Sequence, residues 1–280
     1  MRRDDVSIIR PKTGWFQLNF RELWQYRDLI WLLVKRDITT TYKQTILGPL
    51  WILIHPLLTA GIFTIVFGLI AGISTDGTPQ FLFYLSGSIL WSYFSTCISR
   101  NATTFLQNAQ LFGKVYFPRL ILPITTSLSG LVSFAVQFLL FLCFLLYYSW
   151  IGTVNITWEW VIITPILVLQ TAVLGTGVGM IVSSLTTRYR DLTVLVRFGI
   201  QLWMYLSPVV YPISQVPAAY QALLLFNPIA PVIETMRFIF LGTGTLPLLY
   251  LLVSLMVSCL IGFTGLILFN RIEKTFIDTI

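Results

Sequence analysis

The stretch Leu120–Trp150 reads LILPITTSLSGLVSFAVQFLLFLCFLLYYSW and contains no charged residue. A helix crosses the roughly 30 Å hydrocarbon layer of a bilayer in about 20 residues, and a charge at its centre is costly. This run is therefore long enough to span with tilt. Outward from it lie other charge-free runs: Trp51–Ala71, Phe81–Ser99, Trp160–Thr187, Phe198–Ile233 and Phe238–Asn270. Composition agrees, since 56% of the 280 residues are hydrophobic and only 10% charged, against about a quarter charged in a soluble domain. Most of such a surface faces lipid, and the chain is read as one all-α integral membrane domain.

The run Phe198–Ile233 is too long for one span and too short for two. Its second half holds turn formers: Ser207-Pro208, Tyr211-Pro212, Val216-Pro217, Asn227-Pro228 and Pro231. The reading is one span over Arg197–Tyr211, then short helical pieces over Ala218–Phe226 and Ile229–Leu241. Apolar pieces of about 10 to 14 residues suit re-entrant or interfacial segments. Six transmembrane helices follow, with a re-entrant helical loop over 212–245 between spans five and six; an ordinary external loop is the alternative. Nine of the 18 basic residues precede the first span, and of the others only Arg237 falls on the opposite side. By the positive-inside rule both termini are cytoplasmic.

Residues 20–45 form a different kind of segment. On a helical wheel Phe20, Leu23, Trp24, Tyr26, Ile30, Trp31, Leu33 and Val34 share one half, opposite Arg21, Asp28, Lys35 and Arg36, with Arg27 the misfit. That pattern predicts an N-terminal amphipathic helix lying in the membrane interface, tryptophans at headgroup level; a packed soluble helix is the alternative. The expected organisation is an N-terminal extension over 1–19, this interfacial segment, a permease domain over 46–270 and a tail over 271–280, both ends cytoplasmic. Residues 1–14 are polar and basic and lead into no short apolar stretch with a cleavage site, so a cleaved signal peptide is not expected. Cys97, Cys143 and Cys259 sit in apolar runs without metal-ligand spacing and read as core residues.

Some chemistry is absent. No Gly-x-x-x-x-Gly-Lys-Ser/Thr run occurs, so the chain has no phosphate-binding loop with which to hydrolyse ATP. The one histidine, His55, precedes Pro56 and has no nucleophile or carboxylate placed beside it by any motif. A packing or kink role is read for it; an intramembrane enzyme would need more. No acid or base lies mid-span to bind a coupling proton or sodium ion. A permease powered by a partner fits these absences, and a passive channel is discouraged by the lack of repeated polar residues marking a filter.

Three blocks carry a resemblance. Arg36-Asp37 with Tyr42-Lys43-Gln44-Thr45 and Leu47-Gly48-Pro49-Leu50-Trp51 looks like the approach to span one in ATP-binding-cassette type-2 transporter permeases. Lys114-Val115-Tyr116-Phe117-Pro118-Arg119, ending in Leu122-Pro123, is similar to that family's loop after span two. Ser207-Pro208-Val209-Val210-Tyr211-Pro212, with Val216-Pro217, Asn227-Pro228 and Arg237–Gly242, resembles its fifth span and re-entrant loop. The likeness runs in order over Leu29–Asn270, and its subgroup exports O-antigen, teichoic acid and related lipid-linked polysaccharides; drug and other lipid exporters share the architecture.

The resemblance implies a homodimer in a bacterial cytoplasmic (inner) membrane, with two ABC ATPase subunits on the cytoplasmic face. It implies a lipid-linked polysaccharide as substrate, with no nucleic acid among the partners. No cofactor would be bound by this chain, ATP and Mg²⁺ belonging to the partner. The loop 101–117 would act as a coupling helix, with Leu111, Phe112, Val115, Tyr116 and Phe117 as apolar anchors and Lys114 for a charge contact; packing on the bilayer is the alternative. Arg36 and Asp37 form a second candidate contact. Spans one and five would line the conduit, which nominates Trp51, Phe63, Phe67, Trp203 and Tyr205, with lipid contact the alternative for each. In the external loop Asn227, Glu234 and Arg237 stand out, the last two able to pair on one helical face.

Overall fold

The computed structural model describes residues 20–43, 47–112, 117–154, 156–186, 189, 191–244 and 248–276. Expectations falling on the rest, including the N-terminal extension and the roles of Lys114, Val115 and Tyr116, lie outside the described residues. Only the backbone is described for Leu111 and Phe112. All the described regular structure is helical, and five helical segments are long and apolar enough to cross a membrane.

The chain opens with α1 (Phe20–Gln25) and α2 (Arg27–Tyr42). The single wheel drawn over Phe20–Arg36 does not hold, because the helix breaks at Tyr26. Leu33 is buried against Phe117, Ile121 and Leu122, whereas Trp24 and Trp31 stay 70% exposed. One edge of the apolar face is thus used for packing and the other is left open.

Helix α3 (Trp51–Phe63) continues as a π-helical segment, Thr64–Ile70, and along this length only Pro56, Ala60 and Gly68 are buried. Helix α4 (Gln80–Ala102) is the central column: it is buried nearly throughout. Pro79 holds an extended conformation ahead of it, and the Phe83 N–H donates to the Pro79 carbonyl at 3.0 Å. After α5 (Thr104–Phe112) come α6 (Ile121–Trp150), α7 (Thr164–Thr186) and α8 (Leu192–Tyr205). α9 (Ala218–Leu225), α10 (Ala230–Leu241) and α11 (Leu248–Phe276) complete the order.

Small residues bring the columns together, as dispersion-driven packing in lipid requires. A Cβ on Gly175 would lie 2.7 Å from the Cys97 Cβ, and one on Gly179 would lie 2.5 Å from the Asn101 Cβ, so α7 runs closely along α4. On its other side α7 meets α11 at Gly177, whose Cβ would fall 2.7 Å from the Gly262 Cα.

One boundary matches the sequence reading and one differs. The short helix expected over Ile229–Leu241 is α10, which Gly242 terminates with φ 67°, and α11 begins at Leu248, beyond the expected loop. The left-handed conformation explains the stop, since glycine takes it without penalty. The fifth expected span runs from Leu192 to Tyr205, 14 residues, and not from Arg197 to Tyr211. Arg197 lies inside it. Pro208 disfavours helical conformation at Ser207, and the chain turns there into a buried Ser207–Val210 segment.

Candidate functional site

The densest polar construction joins that buried turn to α10. Arg237 is 1% exposed, and its guanidinium donates to the Pro208 carbonyl at 2.5 Å and to the Val209 carbonyl at 2.7 Å. It lies over the Phe83 ring, 3.6 Å from the centroid. Gly87 makes room, for a Cβ there would come 2.7 Å from Arg237 Nη2. Burial lowers the Arg237 pKa to about 10, opposed by the charges of Glu234, Tyr84 and Asp76. It therefore remains a cation at neutral pH.

Glu234 is buried too, yet no ion pair within 4 Å joins it to Arg237 among the described residues. Burial raises the Glu234 pKa, the Arg237 charge opposes this, and Asp76 adds to it. Helical spacing suggested a staple, but the arginine fork turns instead to two carbonyls that the proline turn leaves without helical partners. Such carbonyls need a donor when buried.

Asn227 closes the other side of the turn. Its Nδ2 donates to the Leu206 carbonyl at 3.2 Å and to Ser207 Oγ at 2.8 Å, and its Oδ1 accepts from Trp203 Nε1 at 3.0 Å. Ser254 on α11 donates to the Pro228 carbonyl, and Gln170 on α7 donates to Ser254 Oγ at 2.7 Å. The segment from Ser207 to Leu241 is thereby tied to α4, α7, α8 and α11.

The conduit candidates divide into two kinds. Phe63 and Phe67 meet edge to face at 5.5 Å, and Phe63 meets Tyr84 at 6.2 Å, all partly or fully buried. Trp203 packs against Phe94 at 5.2 Å besides bonding Asn227. Trp51 and Tyr205 are about half exposed, at 45% and 47%. Nothing in α8 is buried, and in α3 only Pro56 and Ala60 are.

Among the partner-contact candidates, Arg36 Nη2 bonds Asp37 Oδ1 at 3.0 Å on α2. Phe117 is buried with Leu33, Ile121 and Leu122, so its ring fixes α2 to the start of α6. Leu111 and Phe112 lie in the last turn of α5. His55 is exposed on α3, and among the described residues no group of three His, Cys, Asp or Glu is placed to hold a metal ion.

Two polar stripes are invisible to hydropathy and charge alone. Helix α4 carries Ser88, Ser92, Thr96 and Arg100, and α6 carries Thr125, Ser129, Ser133 and Gln137, each set at four-residue spacing. Residues four apart share a helix face. Ser92, Thr96 and Arg100 of the first stripe and Ser129, Ser133 and Gln137 of the second border a cleft of about 380 Å³, which Trp51 and His55 of α3 also line.

The family described as ABC-2 type transporter matches residues 28–241. The chain is 28% identical over 251 residues to the O-antigen export system permease protein RfbA of Klebsiella pneumoniae, covering 90% of this chain and 94% of the relative. It is 29% identical over 223 residues to RfbA of Myxococcus xanthus, with 79% and 83% covered. It is 26% identical over 215 residues to the polysialic acid transport protein KpsM of Escherichia coli, with 73% and 78% covered.

Proposed function

Because this chain belongs to the ABC-2 type transporter family, we propose that it is the permease subunit of an ATP-driven exporter. Its cargo is a lipid-linked polysaccharide of O-antigen, teichoic acid or capsule type, moved across the bacterial cytoplasmic membrane. The observation that carries this reading is similarity, over nine-tenths of both chains, to a permease named for O-antigen export. Similarity to a polysialic acid transport protein supports a polymer over a drug.

In this reading the chain hydrolyses nothing and binds no cofactor. A separate ABC ATPase uses ATP and Mg²⁺ on the cytoplasmic face, two copies serving a permease homodimer. Helix α8 is the fifth of six spans, and residues 212–245 form a re-entrant external loop. The exposed tryptophans of α1 and α2 suit a membrane surface. The sparse burial of α3 and α8 supports their facing a second copy across a conduit, with Trp51, Phe63, Phe67, Trp203 and Tyr205 along it. Leu111, Phe112, Lys114, Val115, Tyr116, Phe117, Arg36 and Asp37 are the proposed ATPase contacts.

Two measurements test this reading. Reporter fusions after Gly77, Gly152 and Gly244 are expected to report from outside the membrane; a cytoplasmic signal at Gly152 overturns the topology. Affinity purification is expected to bring down an ABC ATPase at one copy per permease chain. Purification of the permease alone, with export intact, contradicts the partnership.

A further inference from the structure

The polar cleft between α4 and α6 has a second, smaller chamber beside it. This one holds about 120 Å³, and Arg36, Thr40, Thr104 and Thr125 are among its walls. Asp37 and Arg100 line both chambers and form the partition between them. The small chamber is walled by two guanidinium groups, the Asp37 carboxylate that pairs with one of them, threonine hydroxyls and the amides of Gln107 and Asn108. The large one is walled by serines, two threonines and Gln137, with Trp51 and Tyr93 as aromatic faces.

Two hydroxyls in these walls are unspent. Thr125 is 2% exposed and Ser129 is 3% exposed, and neither side-chain oxygen has a hydrogen-bond partner. Ser127 and Ser184, by contrast, bond back to their own helix backbone, Ser127 to Pro123 at 3.0 Å and Ser184 to Met180 at 2.9 Å. A buried hydroxyl without a partner is unfavourable; Thr125 lines the small chamber and Ser129 the large one. The cationic balance is also open. Arg36 is occupied by Asp37 at 3.0 Å, whereas the one hydrogen bond of the Arg100 guanidinium among the described residues goes to Thr41 Oγ1 at 3.3 Å.

We propose that this two-chamber cleft binds a lipid headgroup in which a phosphate carries a hydroxylated substituent. The phosphate sits in the small chamber against Arg100, where guanidinium and hydroxyl donors match its oxygens. The substituent's hydroxyls enter the large chamber and engage Ser129, Ser133 and Gln137, with Trp51 beside them. Trp51 and His55 are exposed, so the cleft is approached along α3. A glycerol-headed phospholipid and the first sugar of a prenyl phosphate-linked glycan present this same chemistry.

The test is native mass spectrometry of the full-length purified protein in mild detergent. The added probes are phosphatidylglycerol, a prenyl phosphate-linked monosaccharide, phosphatidic acid and phosphatidylcholine. At least one of the first two is expected to bind one per chain about tenfold more tightly than the last two. Preference for the glycosyl phosphate identifies the carrier lipid as occupant, and preference for phosphatidylglycerol identifies a bilayer lipid. Arg100→Gln is expected to weaken binding by about tenfold, the loss of a charged hydrogen-bonding partner. Ser129→Ala, which removes no hydrogen bond from the protein itself, is expected to weaken it about threefold without changing the melting temperature. Equal binding of all four lipids, or wild-type binding by both variants, overturns the proposal. The measurement involves neither ATP nor a polymer, so its failure leaves the exporter reading standing.

Discussion

Replacing Arg237 with methionine keeps most of the side-chain volume and removes the fork that holds the Ser207–Val210 turn. Two charge-assisted hydrogen bonds, at 2.5 Å and 2.7 Å, are each worth about 1.5–3 kcal/mol. The stacking on Phe83 adds about 1–2 kcal/mol in a desolvated site. Against this stands the cost of burying the cation, several kcal/mol, which methionine does not bear. The Pro208 and Val209 carbonyls then remain buried without donors, and the net loss is about 3 kcal/mol. For a chain of this size each kcal/mol shifts the midpoint by about 2–4 °C, so Arg237→Met is expected to melt about 6–12 °C lower in detergent. Arg237→Lys falls between the two, because one ammonium does not reproduce a planar fork. A cysteine placed by Ser207→Cys, at a position 0% exposed, is expected to react with a thiol reagent faster in the Arg237→Met background. A methionine variant melting within about 2 °C of the parent, with Ser207→Cys still protected, refutes this account of the turn.

Gly177→Ala places a Cβ against the Gly262 backbone at 2.7 Å, with overpacking expected to cost about 1–3 kcal/mol; an unchanged melting curve contradicts close packing of α7 on α11. Burial raises the Glu234 pKa above its ordinary value of 4.5, so the stability this carboxyl contributes is full below that value and is lost as pH rises through the raised one. Glu234→Gln is expected to flatten that part of the stability profile, and an identical slope in both proteins refutes the assignment. Phe67→Ala and Tyr205→Ala are each expected to lower surface polysaccharide at unchanged protein level and ATPase assembly. Wild-type export in both places these side chains against lipid.

Much of the architecture is legible from charge-free length alone, because bilayer thickness is a physical ruler. Leu120–Trp150 is expected as a span and α6 occupies Ile121–Trp150; the two short helices before Gly242 fall within two residues of their expected ends. Where hydropathy is silent the reading fails. It does not see that Pro208 stops α8 at Tyr205. The Arg237 fork is equally hidden: spacing on one helix pointed to Glu234, while the carbonyls it holds belong to a turn brought near only by tertiary packing. The stripes on α4 and α6 were visible at four-residue spacing, but serine, threonine and glutamine carry no charge and pass unnoticed in a search for charges. That α4 and not α6 is the buried column also follows from packing, since α4 is the more polar of the two.

The proposed role of this chain is to move a lipid-linked polysaccharide outward. The direct measurement is the location of that polymer in cells depleted of the chain, with cytoplasmic and surface pools separated by impermeant labelling of intact and permeabilised cells. Lipid-linked polymer is expected to accumulate on the cytoplasmic side and to leave the surface, and restoring the chain is expected to reverse both. Undiminished surface polysaccharide after depletion, with no internal pool, contradicts it.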